Sequence, residues 1–337
     1  MSGRRAKALR RANFTVGARH AAPLAIAGLI TGALAPMSAW ALPQGGVVAA
    51  GSATISTPTS TSMQINQATD RVAIDWTRFN IAGNEAVRFQ QPSATSIALN
   101  RVLGLEPSGI FGSLSANGQI ILVNPGGIIF GPGSRIDVGS LTASTLNITN
   151  QDFLAGRYRF AQDPAYGNAA VVNQGVITAG PGGYVALLGA AVHNEGVIQA
   201  NLGSIALGAG KAATLDLRGD GLIGFVVTDA VSGSVMGPNG QPLTASVSNT
   251  GTLQADGGTV TLAANAAKDF IASAVNQEGF IRATSVVNHG GVVRLVAEGD
   301  NSIAWNKGTI DVSAGEANAA SGSVRSEERR VGKECRL

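Results

Sequence analysis

The chain has 337 residues, of which 45 are Gly, 5% are aromatic and 13% are charged. That composition suits many short strands broken by turns, with cores of small and β-branched side chains, and the absence of strict Gly-X-Y spacing excludes a collagen-like chain. The net charge of +3 comes from the two ends: six basic and no acidic residues at 1–41 and five basic against three acidic at 325–337 leave 13 basic and 18 acidic residues between them, without a basic cluster, which excludes nucleic acid as a partner.

Taken in chain order, residues 1–41 read as a signal peptide. Arg4, Arg5, Lys7, Arg10 and Arg11 form a basic n-region, Ala21 to Ala35 is an apolar stretch, and Ala39-Trp40-Ala41 has the small-x-small pattern of a cleavage site. Cleavage is expected after Ala41, with Ala39 and Ala41 as the recognised small residues and the Sec machinery as first partner. A twin-arginine route through Arg4-Arg5 or Arg10-Arg11 is the alternative. Pro23 and Gly28 interrupt the apolar stretch, which is short for a membrane span.

Residues 42–65 alternate mildly, as in Ala53-Thr54-Ile55-Ser56, and are expected to form an N-terminal cap that shields the open end of a strand stack. Val72–Trp76 and Ala86–Phe89 alternate as half-buried strands around a turn at Ala82-Gly83-Asn84-Glu85. Gly118–Val123 and Gly127–Gly131 are apolar runs around Asn124-Pro125-Gly126, a strand, tight turn and strand. Asn150-Gln151-Asp152-Phe153-Leu154 is a candidate short helix.

Beyond residue 170 a phrase recurs: Asn-x-Gly-x-(Ile/Leu)-x-Ala at Asn173–Ala179, Asn194–Ala200 and Asn249–Ala255. Looser copies start at Asn276 and Asn306. Each of the first four is followed by a second strand, at Gly183–Leu187, Gly203–Leu207, Gly258–Leu262 and Gly291–Leu295. A period of roughly 20–30 residues marks a stacked solenoid, which has no natural size limit. The expected fold is all-β: a right-handed parallel β-helix with an N-terminal cap. Ile177, Ile198, Leu253, Val185, Ile205 and Val260 point inward, while the Asn residues ladder from coil to coil. Roughly 280 mature residues at about 22 per coil give on the order of 12 coils, or about 60 Å.

Between the second and third clear repeats, Ala213–Leu217 and Leu222–Val227 flank Arg218-Gly219-Asp220-Gly221 and read as a hairpin leaving the stack. The Arg-Gly-Asp triplet matches an integrin-binding tripeptide, but alone in a hairpin it reads as a turn. Gly208-Ala209-Gly210-Lys211 mimics a dinucleotide loop without a βαβ unit around it, and is rejected. At Gly322-Ser323-Val324-Arg325 the pattern runs into Ser326 where Leu should come, so residues 325–337 read as a non-native tail and 42–324 as the folded part.

The residues at 64–146 resemble a known family. The run Ile65-Asn66-Gln67, Arg71–Trp76, Phe79-Asn80-Ile81, Val87-Arg88-Phe89, Gln91-Pro92 and Leu99-Asn100-Arg101-Val102 is similar to the secretion domain of filamentous-haemagglutinin-type exoproteins of two-partner secretion. Gly112-Ser113-Leu114, Ala116-Asn117-Gly118 and Val138-Gly139 continue the likeness. The family's Asn-Pro-Asn-Gly hallmark stands here as Asn124-Pro125-Gly126-Gly127, with Gly126 where Asn is usual. The resemblance implies a large secreted adhesin-like exoprotein, carried across the Gram-negative outer membrane by a transporter barrel with periplasmic docking domains. Asn66, Asn117, Asn124, Pro125, Gly126 and Gly127 are then either read by the transporter or are turns that shape the domain. Host surfaces or other bacteria would be partners through downstream sequence, which would decide among adhesin, haemolysin and contact-dependent toxin.

Two other classes compete: an autotransporter passenger, and a polysaccharide-degrading β-helix enzyme. Asp75 beside Trp76 hints at sugar, but such enzymes need carboxylates converging on one groove, and Asp137, Asp216, Asp256 and Asp311 do not recur at one repeat position. No enzyme is expected, and no cofactor. His20, His193 and His289 are isolated, the last two expected in solvated turns, and no metal spacing appears. The single Cys335 leaves residues 1–334 without a thiol. Either nothing locks the chain before it has crossed membranes, or the absence is chance in a Cys-poor chain.

Overall fold

The computed structural model describes residues 41–217, 223–267, 273–286, 289–299, 302–314 and 320–329. Ala39, the Arg218–Asp220 triplet and the end of the tail therefore lie outside the described residues; Ala41 is the first of them.

Strands β1 (Val47–Ala50) and β2 (Ala53–Thr59) come first. They are followed by β3 (Ser62–Gln67), β4 (Arg71–Trp76), β5 (Ala86–Gln90), β6 (Ile97–Val102), β7 (Ser108–Ile110), β8 (Ser113–Ala116), β9 (Gln119–Val123) and β10 (Ile128–Phe130). Next are β11 (Arg135–Val138), β12 (Ser140–Ser144), helix α1 (Asn150–Leu154), β13 (Tyr158–Ala161), β14 (Ala170–Asn173), β15 (Val176–Ala179), β16 (Tyr184–Gly189), β17 (Ala191–Asn194), β18 (Val197–Gln199) and β19 (Ser204–Ala209). The hairpin β20 (Ala212–Leu217) and β21 (Ile223–Thr228) precedes β22 (Ala245–Asn249), β23 (Thr252–Gln254), β24 (Thr259–Asn265), β25 (Ser273–Gln277), β26 (Phe280–Arg282), β27 (Val292–Glu298), β28 (Ala304–Asn306), β29 (Thr309–Asp311) and β30 (Ser323–Arg329).

These strands wind into a parallel β-helix of three faces. Sheet I runs β1-β4-β6-β9-β12-β16-β19-β24-β27-β30, sheet II runs β2-β3-β5-β8-β11-β15-β18-β23-β26-β29, and sheet III runs from β7 to β28. Each turn of the chain lays one strand on sheet II, the next on sheet I and the next on sheet III. Register is held without slip: Met63, Val87, Leu114, Ile136, Ile177, Ile198, Leu253, Ile281 and Ile310 form one inward column of sheet II. In sheet I the column Leu187, Leu207, Leu262, Leu295 ends on Ser326. The pairing nevertheless continues to Arg329, so the strand crosses the boundary expected at residue 324 even where its apolar column stops.

The expected cap is present. β1 pairs antiparallel with β4 and β2 antiparallel with β3, closing the first rung of sheets I and II. Sheet I has nine parallel strands, so the stack rises eight steps of about 4.8 Å, about 38 Å, instead of the dozen coils expected. Length is spent elsewhere. Two excursions leave at the sheet I to sheet III corner, one after β12 carrying α1 and β13, the other after β19 carrying the hairpin. β20 bonds to both β13 and β21, making a three-stranded antiparallel sheet.

That sheet covers the outer face of sheet I with a second core, in which Phe153, Tyr158, Phe160 and Leu215 pack on Leu99, Ile121, Ala186 and Ala206. Strands β16 and β19 are consequently buried at every position, which is why their sequences read as continuous apolar runs without alternation. The α1 helix starts from Thr149, whose hydroxyl accepts the Asp152 N–H at 3.0 Å.

The Asn residues ladder inside the stack. Asn173 Nδ2 donates to Asn194 Oδ1 (2.8 Å), Asn194 to Asn249 (2.7 Å) and Asn249 to Gln277 Oε1 (2.7 Å). All four are fully buried. Asn173, Asn194 and Gln277 also bond the peptide N–H or the carbonyl of the Gly two residues on, in the same turn, as when Gln277 Nε2 donates to the Gly279 carbonyl at 2.9 Å. His193 is the exception to its expectation: it is half-buried within β17 and its Nε2 donates to the Ala245 carbonyl at 2.9 Å. Burial holds its pKa below the ordinary value, against the Ala245 bond and the charge of Glu195. His289 is exposed, as expected.

Candidate functional site

The Asn124 turn joins β9 to β10 at the corner between sheets I and III. Its peptide N–H donates to Ser144 of the next coil (2.9 Å), and its carbonyl accepts the Gly127 N–H (3.0 Å). The side-chain amide reaches back to the preceding coil, donating to the Glu106 carbonyl (3.0 Å) and the Ser108 hydroxyl (2.9 Å). Its oxygen accepts the Gly126 N–H at 2.8 Å, closing an Asx turn. Backbone and side chain of this one residue thus tie three successive coils, and none of it is exposed. Pro125 is buried beside it.

Gly127 takes a φ of +119°, which L side chains rarely adopt. At Gly126 a Cβ would lie 2.5 Å from the Leu105 carbonyl oxygen. The departure from the hallmark therefore has a local reason, the close approach of the 103–107 loop.

Asn117 sits at the opposite end of β9, at the corner between sheets II and I. It clamps the neighbouring coil with a reciprocal pair: its Nδ2 donates to the Gln91 carbonyl and its Oδ1 accepts the Gln91 N–H, both at 2.8 Å. Buried Gln91 in turn donates to Gln67 Oε1 (3.0 Å) and accepts the Gly118 N–H (3.0 Å). Asn66 is elsewhere again, exposed on sheet II and accepting from Gln64 at 2.8 Å. The six residues singled out from the sequence fall into three separate places. Only Asn124, Pro125, Gly126 and Gly127 stand together.

The other residues of the resemblance do the same kind of work. Trp76 Nε1 donates to buried Asn100 Oδ1 (3.0 Å), and its ring meets Phe79 edge-on at 5.4 Å. Asn80 accepts the Gly109 N–H (2.9 Å). Arg101 pairs with Asp75 at 2.7 Å and also reaches the Ile148 carbonyl. Arg71 donates to the Phe153 carbonyl at 2.6 Å and lies 5.8 Å from the centre of the Tyr158 ring. These two arginines fasten the helix-bearing excursion onto sheet I, a role sequence reasoning missed. The signal was there: arginine at outward positions of strands that are otherwise apolar needs a covering partner.

Beside Arg71 a groove of about 560 Å³ runs past Thr95, Asn117, Gln119, Tyr158 and Tyr184. The Tyr184 hydroxyl donates to Gln119 (3.2 Å), and burial raises its pKa well above the ordinary phenol value. Burial also raises that of Tyr158, opposed by Arg71. The carboxylates are engaged structurally: Asp75 with Arg101, Asp256 with Arg282 (2.8 Å) and Thr284, Asp152 with Arg157. The Arg157 bond holds the Asp152 carboxyl below its usual range, and the Ser313 N–H does the same for Asp311. Among the described residues no group of three or more His, Cys, Asp or Glu side chains could hold a metal ion. No helix among them is long and apolar enough to cross a membrane.

Comparison with known proteins identifies what this arrangement is. The model of the TPS secretion domain, the two-partner secretion family, matches residues 39–312. The chain belongs to that family. Its fold is similar to the crystal structure of the HMW1 secretion domain from Haemophilus influenzae, with a TM-score of 0.64 and 32% identity, covering 80% of this chain and 64% of that one. Two heme/hemopexin-binding proteins of Haemophilus influenzae are similar over 111 and 112 residues, at 45% and 38% identity. Each match covers 33% of this chain and 12% of the relative, so the chain spans a small part of those proteins.

TPS exoproteins are secreted through the outer membrane to the cell surface or medium, and the TPS domain implies recognition by an outer-membrane transporter. The family is one of secretion domains of adhesin-like exoproteins, not of enzymes.

Proposed function

We propose that this TPS domain is read by its transporter before it folds, and that folding at the surface follows. The observation that carries this reading is the burial of Asn124, whose two amide hydrogens and oxygen are all bonded within the stack. A receptor reaches that side chain only in the extended chain. On this reading residues 1–41 direct export through the Sec machinery and are removed after Ala41. The periplasmic docking domains of the transporter then hold residues such as Asn66, Asn117, Asn124 and Pro125 in extended form. Outside the cell each new coil buries apolar surface on the previous one, so free energy falls stepwise and the chain does not slip back.

The whole product is a filamentous adhesin-like exoprotein whose binding activity resides in other sequence. The heme/hemopexin-binding relatives match over 12% of their own length, so their ligand is not assigned to this domain. The test is co-expression of residues 1–324 with and without a two-partner transporter, assaying the medium. Export only with the transporter supports the reading, and transporter-independent release refutes it. Asn124→Ala separates recognition from stability: capture of the denatured chain by the docking domains should fall along with export.

A further inference from the structure

The three-stranded outer sheet ends on β21, and among the described residues nothing pairs with its far side. The Lys211 N–H donates to the Asp229 carbonyl at 2.9 Å. Ala161 exchanges both of its backbone bonds with Asn147, so Phe160 and Gln162 face β20, and the Gln162 N–H donates to the Lys211 carbonyl at 2.7 Å. Alternation across β20 then turns the peptides of Gly224 and Val226 toward β20, and those of Phe225 and Val227 outward. The segment Gly224-Phe225-Val226-Val227-Thr228 has no charge and no proline, so it lacks the usual protections of an edge strand.

Below this edge lies a groove of about 440 Å³. Its wall is Phe225 and Val227, and its floor is the outer face of β24 and β27 at Thr261, Ala263, Arg294 and Val296. Val227 already packs on Ala263 and Val296, so the apolar layer continues up to the edge and stops there. Arg294 Nη2 bonds Glu327 at 3.1 Å, but its buried Nε has no partner among the described residues.

We propose that the outer edge of β21 is a strand-addition site for a single extended segment of a partner protein, with small apolar side chains toward sheet I and a hydrogen-bond acceptor over Arg294. The floor dictates a lone strand. Sheet I continues under and past the edge through β27 and β30, so a second copy of this chain, approaching edge to edge, would drive its own stack into these coils. An extended segment occupies one strand width of about 4.8 Å and is supported from below as β20 and β21 are. This surface is independent of transporter recognition, because it exists only in the folded domain.

The experiment uses the purified chain and a fluorescein-labelled peptide of alternating valine and threonine flanked by aspartates, followed by anisotropy. Saturable binding is expected. Phe225→Pro removes one outward N–H that Phe225→Ala keeps, at a position where an edge strand tolerates proline, and should bind roughly tenfold more weakly than that control, with circular dichroism and melting the same in the two variants. Arg294→Met should weaken it about fivefold. Hydrogen exchange supplies the second readout: the Phe225 and Val227 amides should exchange freely until peptide is added. No saturable binding, equal affinity for Phe225→Pro and Phe225→Ala, or protection of both amides without peptide would each overturn the proposal. The last would mean that the chain's own segment already fills the edge.

Discussion

The amide ladder gives the sharpest stability prediction. Asn194 sits mid-ladder, fully buried, receiving Asn173 Nδ2 at 2.8 Å and donating to Asn249 Oδ1 at 2.7 Å. Replacing it with Ala leaves one donor and one acceptor inside the stack without their coil-to-coil partner. Each stranded buried group costs about 1–3 kcal/mol. Asn173 keeps a long contact to the Gly175 carbonyl (3.4 Å), which trims the loss. The sum for Asn194→Ala is about 2–5 kcal/mol. Gln199→Ala is the control: its contact to Gln254 is 3.5 Å on the outer face, and a surface change of that kind shifts stability by about 0.5 kcal/mol or less. Asn194→Asp should be worse than Ala at neutral pH, because a carboxylate would face the Asn249 oxygen. It should recover as acid protonates the group and restores a donor. Urea unfolding of the purified domain, with m-values compared to confirm that the unfolded reference is unchanged, measures all three. If Asn194→Ala unfolds within 0.5 kcal/mol of the wild type, the reasoning that the ladder stabilises the stack is wrong.

Three further outcomes are expected. Ile205→Asp places a charge in the fully packed inward column of sheet I, and should slow surface appearance more than periplasmic accumulation in pulse-chase export; unchanged export kinetics would contradict folding-biased export. Gly126→Asn restores the family hallmark yet drives a Cβ toward the Leu105 carbonyl, so it should lower stability by about 1–3 kcal/mol in thermal unfolding. His193 has a folded pKa below its ordinary 6.5. The unfolded chain therefore binds the proton first, and stability present above about pH 6.5 is lost as pH falls through that value toward the folded one. Melting temperatures between pH 7.5 and 5 should drop in the wild type and flatten in His193→Gln.

The regular part of the stack was legible because its signal is local and repeated. Asn173, Asn194 and Asn249 recur at the same place relative to Ile177, Ile198 and Leu253, and a one-residue slip would expose every one of those aliphatics. The hairpin and α1 were readable from the break in that pattern. What escaped was long-range. Nothing near Tyr158 announces that its strand waits for Leu215, more than fifty residues on, or that both pack on Leu99 and Ile121. Counting every residue into the stack overestimated the coils for the same reason. His193 was misread because its neighbour Asn194 looked like a turn residue, when the ladder holds both inside a strand. For the candidate site, the motif at 124–127 was found but its character was not: the sequence names Asn124, while only the fold reveals that its side chain is spent on the preceding coil and its own turn, and its peptide N–H on the next coil.

The antiparallel strands β1 and β2 give the rod a direction. They finish one end with chain running the wrong way for another parallel rung, so the parallel winding stops there, while every other rung offers the next one the same template. A polymer built on this foundation adds parallel rungs from one side alone.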